Sequence, residues 1–199
     1  MLHTFILIGR SGCGKGTQAD LLKERIHRQD EAKRPILYVE TGEHFRQFIR
    51  GTSYSSQLSK KIYASDERQP DFLACWMWSN LLIQEMGPDM HVVFDGAPRS
   101  RVEGELLTTV LKFYSREKPT IIYLNVSRRW SEEKLLTRGR LDDISLSKID
   151  KRLDWFDTDV VPAIEYFRQN PFYRVIEING EQPIAHVHRD IVAAYEYQA

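Results

Sequence analysis

The stretch Gly9-Arg10-Ser11-Gly12-Cys13-Gly14-Lys15-Gly16-Thr17 decides how this chain folds. A short apolar run, residues 5–8, precedes it, and residues 19–26 repeat apolar side chains at helical spacing. Strand, glycine-rich loop and helix in this order predict a phosphate-binding loop. The glycines let the backbone approach a phosphate closely. The amides at the helix N-terminus and the ammonium of Lys15 supply the positive charge that a phosphate requires.

The residue after Lys15 distinguishes this loop from most phosphate-binding loops. Most such loops carry Ser or Thr there, whose hydroxyl binds Mg²⁺ directly, but this chain has Gly16, and its hydroxyl comes one residue later, at Thr17. We therefore expect a bound Mg²⁺ to be held by phosphates and water. Asp95, at the end of a later apolar run, is the expected partner of those waters. The alternative for Asp95-Gly96 is a simple turn.

Length and charge limit the class of protein. The chain has 199 residues, which predicts one domain over residues 1–199. Acidic and basic residues number 28 each, so the net charge is zero and general nucleic-acid binding is not expected. The two cysteines, Cys13 and Cys75, form no metal-spaced set and no disulfide framework. No apolar run approaches the ~20 residues of a membrane helix, and the first run is too short for a signal peptide. We expect a cytoplasmic protein that does not contact a membrane.

Five apolar runs have the character of strands, and helical stretches separate them. These runs are residues 4–8, 36–39, 92–94, 120–126 and 174–178. Near-continuous apolar strands that alternate with helices predict a parallel sheet covered on both faces. Ligands bind beyond the carboxyl ends of such strands. The glycine-rich loop, Thr41-Gly42 and residues 95–99 each follow a predicted strand and are expected at that edge.

Two segments lie between the second and third predicted strands. A polar loop and a polar helix before Pro70 predict a small insertion over residues 51–71. Residues 71–86 predict a long helix that carries Phe72, Leu73, Trp76, Leu82 and Ile83, and its aromatic side chains are expected in the core rather than in a ligand stack.

Arginines make up the second group of candidate residues. Arg46, Arg99, Arg138, Arg140 and Arg152 fall at predicted strand ends, in a glycine-containing loop, or on the helix after that loop. Each alone is expected to be a solvated surface charge. Together they can supply forked donors for the oxygens of several phosphates. Phosphoryl transfer needs this arrangement, since its catalysis is mainly positioning and charge stabilisation.

Taken together, these motifs resemble the adenylate kinase family of nucleoside monophosphate (NMP) kinases. Residues 9–18 resemble the family pattern G-x-x-G-x-G-K-G-T-Q, residues 41–46 resemble S-T-G-D-x-x-R, and residues 95–99 resemble D-G-F-P-R. Residues 138–143 and 151–153 resemble the lid and the helix after it, and residues 161–167 fit P-x-I-x-x-Y. Any single motif is weak evidence, but the ordered set covers nearly the whole chain.

The resemblance implies a fold and a reaction. The fold is an α/β P-loop three-layer sandwich with a five-stranded parallel sheet, an NMP-binding insertion at residues 41–71 and a very short lid at residues 136–146. The reaction is reversible transfer of a phosphoryl group from Mg-ATP directly to a nucleoside monophosphate, with AMP the first candidate, Mg²⁺ the cofactor and lid closure excluding water. The partners are ATP and the monophosphate, and a monomer is expected.

The resemblance also assigns roles to residues. The ATP-binding set is Gly12, Cys13, Gly14, Lys15, Gly16, Thr17, Lys134 and Gln182. The NMP-binding set is Thr41, Gly42, Arg46, Gln69, Gly96, Arg99 and Glu103. The catalytic set is Lys15, Arg99, Arg138, Arg140 and Arg152, with Asp95 holding the metal through water.

Four features depart from the family pattern, the first being the short lid, in which a single Gly139 separates Arg138 from Arg140. Lys134 stands where the family has an arginine that stacks on the ATP adenine, and Arg68-Gln69 replaces a hydrophobic pair at the acceptor base. Glu103 replaces the glutamine that reads adenine. A carboxylate only accepts hydrogen bonds, whereas guanine offers two donors, so GMP or another monophosphate is the alternative acceptor. Equally, Ser100 and Glu103 fit a helix capping box.

A third hypothesis comes from a different class of protein. A nucleotide-binding regulator or assembly factor with weak ATPase activity would also carry the glycine-rich loop. The arginine set argues against it, because a protein that only binds a nucleotide does not need so many cations at one point.

Overall fold

The structure, a computed structural model, describes residues 2–65, 67–138 and 146–197. Its centre is a parallel sheet of five strands in the order β2-β3-β1-β4-β5. The strands are β1 (Thr4–Gly9), β2 (Ile36–Glu40), β3 (His91–Asp95), β4 (Thr120–Asn125) and β5 (Arg174–Asn179). Each predicted apolar run forms one strand, so the predicted fold class is confirmed.

Helices connect the strands. They are α1 (Lys15–Gln29), α2 (Thr41–Phe48), α3 (Tyr54–Ala64), α4 (Asp71–Glu85), α5 (Arg101–Phe113), α6 (Arg128–Arg138), α7 (Leu146–Trp155), a π-helix (Phe156–Val160), α8 (Val161–Gln169) and α9 (Ile184–Tyr197). Within the described ranges, none of them has both the length and the apolar character that a bilayer-crossing helix needs. Helices α2 and α3 occupy the predicted insertion, whose role as an NMP-binding unit stays a prediction.

The two faces of the sheet carry separate hydrophobic cores. Ile6 and Ile8 of β1 point to the face covered by α4, α5 and α8. Phe5 and Leu7 alternate with them and point to the face covered by α1 and α9. Because successive side chains of a strand point to opposite faces, a strand buried on both faces has to be apolar throughout. This explains the uninterrupted run that precedes the glycine-rich loop.

The outward face of α4 differs from the sequence expectation. Phe72 and Trp76 are 73% and 49% exposed, so the prediction of these aromatics as core is wrong, and Ile83 is exposed as well. Trp78 is the core tryptophan of this helix, 1% exposed, and it packs edge-on against Phe94 of β3. Two residues along a helix turn the side chain by about 200°, so Trp76 and Trp78 lie on opposite sides. Aromatic composition alone does not tell which side faces the sheet.

A network of histidines ties together the amino ends of the strands, away from the glycine-rich loop. His91 is fully buried, and its Nδ1 accepts a hydrogen bond from the backbone N–H of His3 at 3.0 Å. Its Nε2 therefore carries the proton and donates to Asp30 at 3.2 Å. Asp30 is held in turn by Arg34. This arrangement requires a neutral His91, because a second proton on Nδ1 would face the His3 N–H.

The histidine network predicts that the protein loses stability in acid. Burial lowers the pKa of His91, partly offset by Asp30, and burial together with His91 lowers the pKa of His3 to about 4. Both histidines titrate near 6.5 when unfolded, so the unfolded chain binds more protons and stability falls as pH falls from about 6.5 toward 4. We expect the urea midpoint to drop between about pH 7.5 and about pH 5.

Two variants isolate the contribution of the network. His91→Gln is expected to reduce the difference between the two urea midpoints, whereas His27→Gln, on the exposed side of α1, is expected to preserve it. An equal drop in the His91→Gln variant and the native protein would contradict this role for His91.

Candidate active site

A cleft of about 1120 Å³ opens at the carboxyl ends of the strands. The loop after β1, the first residues of α2 and the loop after β3 form its floor. Residues of α6, α7 and α9 complete the wall beside β4 and β5, and residues before α4 complete the wall beside β2 and β3. This is the position at which open α/β sheets bind their ligands.

The cleft brings together the residues proposed from the sequence. All of those with described side chains line it: Gly12, Cys13, Gly14, Lys15, Gly16, Thr17, Thr41, Gly42, Arg46, Gln69, Asp95, Gly96, Arg99, Glu103, Lys134, Arg152 and Gln182. Arg140 lies outside the described residues, as do the side chain of Arg138 and most of the predicted lid. The roles assigned to these residues stay predictions.

The glycine-rich loop turns directly into α1. Gly14 begins the helix with φ of 92°, a left-handed conformation that favours glycine. The Nζ of Lys15 folds back over the loop and donates to the carbonyl oxygens of Gly9 at 2.7 Å and Arg10 at 2.9 Å. The amides of the first helical turn have no intrahelical acceptor. The loop therefore offers these amides and one ammonium group to an anion.

Asp95 lies next to the glycine that replaces the usual hydroxyl residue. A Cβ atom built on Gly16 would stand 3.3 Å from Oδ2 of Asp95. The hydroxyl of Tyr38 donates to the same oxygen at 3.1 Å. Burial, followed by the charge of Asp95, raises the pKa of Tyr38, so Tyr38 remains a neutral donor.

These contacts fit a metal that keeps its water shell. Within the residues the structure describes, no group of three or more His, Cys, Asp or Glu side chains could hold a metal ion. A lone carboxylate beside the phosphate loop can hold a hydrated Mg²⁺ that phosphates also bind. Asp95 therefore fits the predicted contact through water.

On the β2 side of the cleft, Arg46 forms ion pairs with two carboxylates. Its Nη2 contacts Glu43 at 2.7 Å and Glu40 at 3.1 Å, and it holds the pKa of Glu43 below its usual value. Thr41, at the start of the same helix, has a buried hydroxyl oxygen without a hydrogen-bond partner among the described residues. A phosphate could take the place of the two carboxylates at Arg46.

Glu103 and Gln69 line the wall near the start of α4. The hydroxyl of Ser100 accepts the backbone N–H of Glu103 at 3.2 Å, which forms one half of the expected capping box. The carboxylate of Glu103 is buried at 2% exposure and lies 3.9 Å from Nη2 of Arg68. Gln69 is held elsewhere, because its amide exchanges hydrogen bonds of 2.8 and 3.0 Å with Ser59 on α3.

The opposite wall carries Lys134 and Gln182. The Nζ of Lys134 lies 4.7 Å above the ring of Trp130, one helical turn earlier on α6. Gln182 donates to the Asn179 carbonyl oxygen at 2.9 Å and to Asp190 at 3.0 Å. Trp130 also lines the cleft. A flat aromatic ring therefore lies beside Lys134, the residue that replaces the family arginine.

Sequence reasoning missed Tyr38 and Trp130, which line the cleft beside the predicted set, and it placed Arg68 at the acceptor base without its ionic contacts. The i, i+4 spacing of Trp130 and Lys134 was a usable signal for a shared helical face. Tyr38 contacts Asp95 through the pairing of β2 with β3, which aligns Glu40 with Asp95. No sequence signal identified the contacts of Arg68.

The π-helix between α7 and α8 connects the two sides of the cleft. Arg10 of the glycine-rich loop donates to Asp157 at 2.9 Å and lies 4.2 Å above the ring of Phe156. Arg68, at the other wall, faces Asp159 with 3.6 Å between Nε and Oδ1. One five-residue segment therefore contacts both walls.

Comparisons with known proteins agree with this geometry. The family model of adenylate kinase matches residues 7–172 of the chain. An adenylate kinase of Flavobacterium psychrophilum is 28% identical over 178 residues, which cover 86% of this chain and 87% of that protein. An adenylate kinase of Corynebacterium urealyticum is 28% identical over 192 residues, covering 96% and 98%. For an adenylate kinase of Oenococcus oeni the identity is 25% over 192 residues, covering 94% and 95%.

The matched range contains the glycine-rich loop, both arginine-bearing walls and the π-helix. The similarity therefore extends over most of the cleft and over the sheet up to β4. With a family match over most of its length and a cleft at the corresponding strand ends, the chain belongs to the adenylate kinase family of nucleoside monophosphate kinases.

Proposed function

We propose that this protein transfers the γ-phosphoryl group of Mg-ATP to a nucleoside monophosphate, with AMP as the first candidate. One observation carries the proposal: a single cleft holds a phosphate-binding loop and, on the β2 side of it, two arginines that suit a second phosphate. A protein that bound only ATP would have no use for Arg46 and Arg99 in that position. AMP comes first because the matched relatives are adenylate kinases.

The proposed division of the cleft follows the order of the strands. The loop after β1 and Lys15 bind the donor phosphates, while Lys134 and Trp130 flank the donor base. Arg46 and Arg99, after β2 and β3, bind the acceptor phosphate. An oxygen of that phosphate attacks the γ-phosphorus in line, and the bond to the β-phosphate oxygen breaks. Bound Mg²⁺ would neutralise charge on the donor phosphates, with Asp95 holding its waters.

The lid and the localisation belong to the same proposal. Arg138, Arg140 and Arg152 are proposed to surround the transferring group when the lid closes over it. A closed lid excludes water, which would otherwise convert transfer into hydrolysis. A monomeric, cytoplasmic protein is the form in which we propose that it acts.

One assay tests the reaction. The protein is incubated with Mg-ATP and each nucleoside monophosphate singly, and formation of the diphosphate is followed. Diphosphate formation that depends on the acceptor supports the kinase. ATP hydrolysis at the same rate with and without every acceptor would contradict it and favour the regulator with weak ATPase activity.

Asp95→Asn tests the metal contact. The amide retains the size of the side chain but loses the charge that orders the waters of Mg²⁺. Loss of an outer-shell partner commonly weakens metal affinity by about 10- to 100-fold, so the Mg²⁺ concentration for half-maximal rate should rise by about 10-fold or more. Asp89→Asn, in an exposed turn, serves as the control. An unchanged Mg²⁺ titration in Asp95→Asn would remove Asp95 from the metal site.

A further inference from the structure

A buried carboxylate lines the acceptor side of the cleft without a close side-chain donor. Glu103 is 2% exposed, and Nη2 of Arg68 lies 3.9 Å from its Oε1, which exceeds a hydrogen-bond distance. The backbone N–H of Arg99 donates to this carboxylate. Because an ionised carboxylate has about four acceptor sites, this wall still suits a ligand that presents N–H groups.

Arg68 adds unused donors to the same wall. Its Nη1 donates to the Gln69 carbonyl oxygen at 3.3 Å and its Nη2 donates to Asp71. Its buried Nε faces Asp159 at 3.6 Å and makes no hydrogen bond within the described part of the chain. A guanidinium group has five N–H donors, so these contacts leave some of them for a ligand. An acceptor group and a donor group thus stand side by side at one end of the cleft.

We propose that Glu103 and Arg68 read the acceptor base, and that the charge of Glu103 selects between guanine and adenine. The inference rests on the proposed function, because it assumes that this wall faces the base of the acceptor nucleotide. It gives the protein a guanine acceptor in addition to AMP, with Glu103 as the residue that determines specificity.

The hydrogen-bonding edges of the two purines explain the selection. Guanine presents the N1–H and N2–H donors to one carboxylate, and its O6 can accept from an arginine. Adenine presents an N6 amino donor beside the N1 lone pair. An ionised carboxylate faces that lone pair with another lone pair, whereas a protonated one donates to N1 and accepts from N6.

The surroundings of Glu103 bring its titration closer to neutral pH. The groups that face it are Arg99 after β3, Arg68 and Asp71 at the start of α4, and Cys75 on α4. Burial raises the pKa of Glu103, while the charges of Arg99 and Arg68 oppose the rise. Burial raises the pKa of Cys75 to about 12, so Cys75 stays a neutral thiol. A rise in pH therefore converts Glu103 from an acid that suits adenine into a carboxylate that suits guanine.

Calorimetric binding of GMP and AMP to the whole chain tests the proposal directly. Titrations are run at a series of pH values between about pH 5.5 and about pH 8.5. We expect the ratio of GMP affinity to AMP affinity to rise with pH by roughly 10- to 100-fold. Ionisation of the phosphate affects both nucleotides alike and cancels in the ratio.

Matched variants separate base reading from a structural role. Glu103→Gln has an amide that suits adenine at every pH, so the ratio should favour AMP and lose its pH dependence. Glu105→Gln, on the exposed side of the same helix, should behave as the native protein. Arg68→Met should weaken GMP binding about 10-fold with little change for AMP. Equal weakening of both nucleotides in Glu103→Gln would indicate a structural role only and would overturn the proposal.

The outcomes distinguish base reading by Glu103 from the proposed phosphoryl transfer. A ratio that does not change with pH in the native protein, or binding of neither nucleotide, overturns base reading by Glu103. Binding that follows the expected pH dependence, without diphosphate formation from any acceptor, supports base reading and contradicts the proposed phosphoryl transfer.

Discussion

Replacing Lys15 with alanine is expected to lower the rate of phosphoryl transfer by about 10²- to 10³-fold, the usual loss for one preorganised donor to the transition state. In the structure its ammonium group contacts the Gly9 and Arg10 carbonyl oxygens and stands over the loop. A bound phosphate offers a full negative charge in place of two carbonyl dipoles, so Lys15 should turn toward the nucleotide. In the variant, the Lys15 ammonium would no longer stabilise the negative charge that develops on the transferred group.

The measurement is kcat and KM for ATP at saturating acceptor. Lys112→Ala removes an exposed lysine from α5, outside the cleft, and should leave both values unchanged. The thermal midpoint of Lys15→Ala should stay close to that of the native protein, since Lys15 contributes to no hydrophobic core. A variant that keeps more than about a tenth of the native kcat would exclude Lys15 from the reaction, given the expected effect.

Replacing Arg99 with alanine is expected to reduce kcat/KM for the acceptor by a similar factor, about 10²-fold or more. Arg99 follows β3, and its Nε donates to the Gly96 carbonyl oxygen at 2.6 Å. Gly96 has φ of 83°, and a Cβ atom there would lie 3.0 Å from Nη2 of Arg99. Glycine at this turn therefore lets the guanidinium lie over the loop, with its remaining donors toward the cleft.

Arg101→Ala is the matched control for Arg99→Ala. Arg101 lies two residues further on, and its side chain is 67% exposed and paired with Glu105 on the surface of α5. Surface pairs of this kind contribute about 1 kcal/mol or less, so activity and stability should both be preserved. If the two alanine variants have the same acceptor kinetics, Arg99 has no role in acceptor binding.

Much of the fold and of the cleft could be predicted because both depend on local patterns. Uninterrupted apolar runs identify strands buried on two faces, and chain direction places the loop after β1 beside Asp95. The face of a helix is harder to predict, as Trp76 and Trp78 show, because it depends on packing partners that are distant in sequence. The helical period of α4 is compatible with either tryptophan in the core.

The individual ion pairs of Arg68 and the burial of His91 could not be predicted from the sequence. Arg68 meets Asp71, Glu103 and Asp159, the last of which is more than ninety residues away in sequence. Fully buried His91 was likewise not expected, since neither its spacing nor its neighbours distinguish it from a surface histidine. Such pairings depend on the tertiary structure, and only the three-dimensional arrangement of the chain reveals them.

The π-helix has a consequence for how the chain can tolerate insertions and deletions. Its wider turn accommodates one residue more than an α-helix does. Deleting a residue from Phe156–Val160 would restore regular winding but rotate the preceding segment by about 100° relative to α8. Because Phe167 anchors α8 in the core, the rotation would move Asp157 away from Arg10. The number of residues in this segment is therefore constrained as well as their identity.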